Sequence, residues 1–167
     1  DNKALANNRM AFCSKILKAK RLQNFFEHDD TIIFGIDKKE EHRARRIENI
    51  YYEDIYQRKK KLANLRFPLI EEEVSRYKVD KLLKNINIEE PVLYKYGFTH
   101  NNCSGGCVRA GKKQWKLLYE KLPEVFYDRM RVEEEVREWL NKDIHYLKDE
   151  TLRSFKKRID NGQLSNY

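Results

Sequence analysis

The stretch His100–Gly111 reads His-Asn-Asn-Cys-Ser-Gly-Gly-Cys-Val-Arg-Ala-Gly and holds two of the chain's three cysteines and three of its six glycines. Cys103 and Cys107 stand four residues apart with Gly105 and Gly106 between them. That spacing lets the backbone fold tightly enough to aim both sulfurs at one point. Here chemistry is a stronger reading than packing. The remainder is basic, densely charged and patterned for helices.

A chain of 167 residues can build one domain with a real core, so one compact unit is expected. Lys and Arg exceed Asp and Glu by eight, and charged residues make up 37% of the chain. A positive surface of this kind favours polyanions, whether nucleotides or nucleic acid. No apolar run approaches the roughly 20 residues of a membrane span, and Asp-Asn-Lys-Ala-Leu-Ala is not a signal peptide, so a soluble, cytoplasmic protein without membrane association is expected. Three cysteines do not make a disulfide framework; reduced thiols or metal ligands fit better.

Ser14–Phe26 sets Ile16, Leu17, Leu22, Phe25 and Phe26 among basic residues, the pattern of an amphipathic helix ended by His28, Asp29 and Asp30. Thr31–Gly35 is a short apolar run closed by glycine and reads as a buried strand of a parallel sheet. Glu40–Leu62 has Ile47, Ile50, Tyr51, Ile55 and Leu62 at helical spacing, in one helix or two, with Arg58–Lys61 where cations complement the dipole. Arg66–Ile70 is predicted to be extended, Pro68 placing it at an edge or strand end. Ser75 can cap a helix over 75–83 with Val79, Leu82 and Leu83 inward. Trp115, Leu118, Tyr119 and Leu122 form a helical stripe, and Pro123 suits the first turn of a long helix to about Asn141 with Val125, Phe126, Met130, Val132, Val136, Trp139 and Leu140 as core positions. Asp149–Ile159 adds final helical turns. Two short strands among many helices make an α/β pattern with an excess of helix.

Three sets of residues recur in a telling order. Phe12-Cys13-Ser14-Lys15-Ile16-Leu17-Lys18 is a cysteine followed by a basic stretch. Thr31–Ile36 followed by Glu40, Arg43 and Arg45 is a strand, a glycine and an arginine-bearing turn. Phe67-Pro68-Leu69-Ile70, Tyr96-Gly97-Phe98 and the Cys103–Cys107 loop follow. Over residues 9 to 140 this order resembles the phosphoadenosine phosphosulfate reductase-like family, within the adenine nucleotide alpha hydrolases. The resemblance implies a partial doubly wound, Rossmann-like core over residues 1–111 and a helical extension over 112–167 packed on the same domain. Family members that bind the nucleotide carry a Ser-Gly-Gly-x-Asp-Ser phosphate loop, and nothing in this sequence resembles it; the resemblance puts it upstream of Asp1. The reductases' Glu-Cys-Gly-Leu-His tail has no counterpart after Cys107, which speaks against the usual thiosulfonate route.

Cluster-bearing members use an adjacent cysteine pair and a later, closely spaced pair. Here Phe12 takes the first position, Cys13 the second, and Cys103 with Cys107 look like the later pair at wider spacing. The resemblance therefore implies an iron-sulfur cluster held by three thiolates, or a zinc site completed by His100. The plainer alternative makes Cys13 a small buried hydrophobe and the loop cysteines free thiols.

Arg43, Arg45 and Arg46 follow a strand end, where open α/β sheets bind ligands, and by resemblance Arg43 or Arg45 would hold a terminal sulfate or phosphate. A solvated helix face is the plainer reading. Lys15 and Lys18, with Lys20 and Arg21, line the same pocket or track a nucleic-acid backbone. Arg109, Lys112 and Lys113 flank the cysteine loop, where free helix amides offer a second anion site. His28, His42 and His145 stand alone and read as surface or satisfied core residues, Phe25 and Phe26 as core, and Glu133–Glu135 as a solvated face.

These residues point first to a nucleotide-binding protein taking an adenine nucleotide or sulfonucleotide. Complete relatives are oxidoreductases that reduce an activated sulfate, or transferases that adenylate a substrate and pass on sulfur. A nucleic-acid-binding accessory protein on the same scaffold is the second reading. A helical module forming a homodimer through Trp139 is the third.

Overall fold

The computed structural model describes residues 5–7, 10–26, 30–58 and 64–164, excluding the side chains of residues 23 and 50–58. His28, Lys59–Lys61 and Leu62 lie outside that description, as do the side chains of Ile50, Tyr51 and Ile55. In chain order the elements are a π-helix Cys13–Ala19 running into α1 (Lys20–Gln23), β1 (Thr31–Ile33), a 3-10 turn Lys38–Glu40, α2 (Glu41–Arg58), β2 (Asn64–Arg66), α3 (Pro68–Glu71), α4 (Arg76–Asn85), α5 (Val92–Lys95), a 3-10 turn Cys103–Gly105, α6 (Lys112–Lys121), α7 (Pro123–Leu140) and α8 (Leu152–Asp160). The fold is mixed α/β and mostly helical, and its sheet has two strands among the described residues. The chain divides into two compact units, Ala19–Glu89, and Asp1–Lys18 together with Glu90–Tyr167. The cysteine loop and the helices after residue 111 thus share one unit.

In the Ala19–Glu89 unit, β1 and β2 pair in parallel with Ile32 opposite Leu65. The ladder is extended by the Asn64 N–H to the Asp30 carbonyl at 2.8 Å and by the Phe34 N–H to the Arg66 carbonyl at 2.9 Å. Parallel strands need a long crossover, and α2 supplies it as one continuous helix. Ile36, Ala44 and Phe67 are buried, with Phe34, Ile47, Leu65 and Ile70 packed around them. The rings of Phe34 and Phe67 stack at 5.4 Å.

The strand at Thr31 is not the buried one expected: Thr31 and Ile33 are exposed and Ile32 is half-buried. A three-residue strand with one neighbour has a face for only one side chain against this small core. Pro68 likewise ends no strand. It opens α3, and the Glu71 carboxylate accepts the Phe67 N–H at 2.7 Å, closing the turn. Ser75 caps α4 as its sequence predicts, its hydroxyl accepting the Lys78 N–H, although Leu82 faces solvent. Phe25 is 78% exposed, so its placement in the core is also corrected. The helix before it is too short to present a second apolar turn to this cluster.

The second unit holds the larger core. Trp115 and Leu118 of α6, Phe126 of α7, and Leu152 and Phe155 of α8 have no exposed surface, and Leu5, Leu93, Phe98, Ala110, Tyr146, Leu147 and Leu164 close around them. The Trp115 ring meets Phe126 edge-on at 6.3 Å and stacks on Tyr146 at 5.5 Å. The 3–4 residue spacing of the apolar stripe puts Trp115 and Phe126 on facing sides of α6 and α7, and Tyr146 reaches Trp115 from the segment after α7. Asn141, left-handed at φ 47°, terminates α7. Trp139 is 63% exposed rather than core, because it falls on the opposite side of α7 from Phe126 and Glu133.

Glu133 is the other correction in α7. Its carboxylate is fully buried, accepting the Tyr146 N–H and the Leu152 N–H, each at 2.7 Å. Only Glu135 of the acidic triplet is exposed; Glu134 is half-buried and forms a two-pronged ion pair with Arg153. Leu152 is the first residue of α8, so Glu133 satisfies an amide that the helix itself leaves without a partner.

Candidate functional site

Three consecutive residues of the cysteine loop are left-handed: Cys103 at φ 53°, Ser104 at φ 53° and Gly105 at φ 87°. For Cys103 and Ser104 that conformation costs about 1 kcal/mol or more each, a cost borne only where the surroundings hold it. Two turns do so, from the Gly105 N–H to the Asn102 carbonyl and from the Gly106 N–H to the Cys103 carbonyl, both 3.0 Å. Gly105 presses on the core, so close that a Cβ there would lie 2.9 Å from Leu118 and 3.0 Å from Phe98. The result is a tight shelf with Cys103 exposed and Cys107 half-buried.

Cys13 opens the π-helix in the same unit and is half-buried. Burial pushes the Cys103 thiol above its ordinary 9.0; the charges of Cys107 and then Cys13 push the same way, and Lys18 opposes them. Cys107, Cys13 and Lys18 therefore each lie within electrostatic reach of Cys103, although ninety residues of sequence separate Cys13 from Cys103. His100, half-buried three residues before Cys103, has a buried Nδ1 with no hydrogen-bond partner. Three thiols and an unsatisfied imidazole nitrogen are a donor set suited to zinc or, for the thiols, to an iron-sulfur cluster. As placed, no group of three or more His, Cys, Asp or Glu side chains among the described residues is arranged to hold a metal ion.

A second feature lies in the other unit. A cleft of about 420 Å³ is lined by Asp37, Lys38 and Lys39, which lie between β1 and α2, and by Glu73–Tyr77, which lead from α3 into α4. Asp37 accepts the Lys39 and Glu40 N–H groups, fixing the first wall. Glu73, left-handed at φ 49°, turns the chain into the Ser75 cap of α4 and fixes the second. Lys38 pairs with Glu73 across the cleft and Arg76 with Asp80 at 2.8 Å, all on exposed side chains whose mutual hold in water is weak.

No family model, curated protein or solved structure matches this chain.

Sequence reasoning placed the anion site on Arg43 and Arg45. Both are exposed on the first turns of α2, Arg43 paired with Glu40 and Arg45 with Glu41 at 2.8 Å, and neither lines the cleft. The cations there are Lys38, Lys39 and Arg76, which carried no motif; their signal was position just after a strand or at a helix start. Lys15 and Lys18 are exposed on the π-helix, and the field of Lys18 reaches Cys103. Arg109 is exposed beside the cysteine loop. Lys112 is bound to Asp149 at 3.0 Å and Glu150 at 2.7 Å, so its ammonium serves to anchor the segment before α8. No helix among the described residues is long and apolar enough to cross a membrane.

Proposed function

We propose that this chain is a phosphoadenosine phosphosulfate reductase-like nucleotide-binding protein, and that β1 and β2 belong to a doubly wound sheet of that kind. An adenine nucleotide or sulfonucleotide occupies the cleft. One observation carries the reading: a cleft of about 420 Å³, large enough for a nucleotide, is walled by the segment that leads from β1 into α2 and by the turn between α3 and α4, and is flanked by three cations and the start of α4. Parallel sheets bind ligands beyond the carboxyl ends of their strands, and Lys and Arg beside helix amides hold phosphate or sulfate. Sulfonucleotide reduction or adenylation with sulfur transfer is the chemistry such a site serves when a phosphate loop is present. The sequence given has no such loop, and the role proposed for these residues is binding.

Calorimetry with adenosine 3′,5′-bisphosphate tests it. The double variant Lys38→Ala/Arg76→Ala should bind about 30-fold more weakly, a change of about 2 kcal/mol, while Arg43→Ala/Arg45→Ala should shift affinity less than about two-fold. Equal affinity in the wild type and the Lys38/Arg76 variant would refute the cleft assignment. A salt series separates this reading from nucleic-acid binding: affinity for a polyanion falls steeply as salt rises, whereas a small nucleotide in a shaped pocket responds far less.

The thiols belong to the same proposal. Cys13, Cys103 and Cys107, with or without His100, would hold an iron-sulfur cluster or zinc once drawn together. Elemental analysis of anaerobically purified protein should find zinc at about one per chain or iron at about four, and Cys103→Ala should lose it. Protein carrying neither metal would leave the three cysteines as thiols only.

A further inference from the structure

Glu73 occupies a position that its own turn would fill better with glycine. At the end of α3 the Glu73 N–H donates to the Ile70 carbonyl at 3.1 Å and the Val74 N–H to the Leu69 carbonyl at 2.9 Å. That pair of hydrogen bonds closes a helix through one left-handed residue, where glycine is commonest because it has no Cβ to clash. Here the residue is Glu73, at φ 49°. A side chain in that conformation strains the turn, and the turn's own hydrogen bonds make no use of a carboxylate.

The carboxylate's partner stands on the other wall of the cleft. Glu73 reaches from the turn between α3 and α4 to the Lys38 ammonium, on the segment between β1 and α2, and both residues line the cleft of about 420 Å³. The other cations there are placed differently: Arg76 is held by Asp80, one turn along α4, at 2.8 Å, and Lys39 has no ion pair among the described residues. Lys38 is thus engaged by an anion from across the cleft. The two side chains are 60% and 71% exposed, so water screens the pair and it adds little to the fold. A strained backbone and a weak ion pair give no stability reason for a glutamate here. They do suit a carboxylate that stands where a ligand's phosphate binds, because a loose pair yields to a phosphate monoester carrying close to two charges.

We propose that Glu73 is an autoinhibitory residue, its carboxylate competing with a ligand's phosphate or sulfate group for the Lys38 ammonium. This competition rests on the reading of the cleft as a nucleotide site, and it regulates the anion end of that site. Only molecules in which Lys38 has released Glu73 bind at full strength, so the apparent affinity is the intrinsic one reduced by that fraction.

Calorimetry with adenosine 3′,5′-bisphosphate and with inorganic phosphate, at one ionic strength, measures the effect. Glu73→Gln should bind the bisphosphate about three- to five-fold more tightly than the wild type, the factor an exposed ion pair can withhold. In a Lys38→Ala background the same replacement should change affinity less than about 1.5-fold, since no ammonium remains to be released. Equal tightening in both backgrounds would make Glu73 a general repulsive charge and overturn the proposal. Affinity in Glu73→Gln equal to or weaker than that of the wild type would overturn it as well. Glu73→Gly removes charge and strain together, so it should bind as Glu73→Gln does and melt about 2–4 °C higher than the wild type. A lower melting point would show that the pair serves to tie the two walls, and the competitor role would fall.

The outcomes also separate this inference from the nucleotide reading. Bisphosphate binding lost in Lys38→Ala/Arg76→Ala but unchanged in Glu73→Gln keeps the nucleotide site and removes the competitor. Phosphate binding that tightens in Glu73→Gln only where Lys38 is present, with the bisphosphate bound no better than phosphate, keeps the competitor and removes the nucleotide. Binding of neither ligand by the wild type or by Glu73→Gln overturns both.

Discussion

Replacing Glu133 with Ala should lower the stability of the helical unit by about 4 kcal/mol, the largest single effect expected in this chain. The carboxylate accepts two backbone N–H groups from a fully buried position, those of Tyr146 and Leu152. Each hydrogen bond to a charged acceptor contributes about 1.5–3 kcal/mol, and both amides would stay buried without it. One amide begins α8 and the other lies in the segment joining α7 to α8, so the loss would loosen the docking of Leu152 and Phe155 against Trp115. Urea denaturation followed by tryptophan fluorescence measures the change, and a loss below about 1 kcal/mol would show that water replaces the carboxylate at both amides.

The pH dependence has a definite sign. Burial is the dominant influence on Glu133 and raises its pKa above the ordinary 4.5, against the pull of the two amides, His145 and Arg137. The folded state therefore holds this proton at a pH where the unfolded chain has released it. The stability linked to Glu133 is complete below the ordinary carboxylate value and declines as pH rises through the folded value. In Glu133→Gln that decline should vanish, so the wild-type and Gln stability curves change their separation across this window and run parallel well above it.

Gly105→Ala is the second large effect, about 3 kcal/mol from two separate causes. At φ 87° an L-residue costs about 1 kcal/mol, and the new methyl would lie 2.9 Å from Leu118 and 3.0 Å from Phe98, inside the tight core, where overpacking costs about 1–3 kcal/mol. Gly106→Ala one residue later should cost under about 1 kcal/mol, because its φ is negative and the atoms a Cβ would meet first belong to the long side chain of Arg129. Thermal melting of the two variants side by side isolates the effect. Equal melting points would mean that the loop is not pinned by the core as described.

The helical hairpin was largely legible before any coordinates. Trp115, Leu118, Leu122, Phe126 and Met130 recur every three to four residues, and Pro123 marks the boundary, because helix periodicity is a local property written along the chain. Ser75 was equally readable, since a cap needs only its own next three residues. Glu133 was not. Its partners at residues 146 and 152 belong to a segment that returns to α7 only on folding, and a Glu-Glu-Glu run looks like solvent-facing charge. Nor could the sequence show that Arg43 and Arg45 pair with Glu40 and Glu41 and lie apart from the residues lining the cleft.

Local patterning was enough for most of the helices, the short strand after Asp30 and a tight, glycine-bearing cysteine loop, because each depends on residues within a few positions of one another; the pairing of β1 with β2, 33 residues apart, was not local. Only the tertiary structure decided which charges are used up and which are left over. The field of Cys13 reaches Cys103, Lys38 faces Glu73 across the cleft, and Arg129 lies on Gly106 with its buried Nε unpartnered, through folds of the chain that no local pattern encodes. Ion pairing and desolvation depend on distance in space, and separation along the chain says little about that distance.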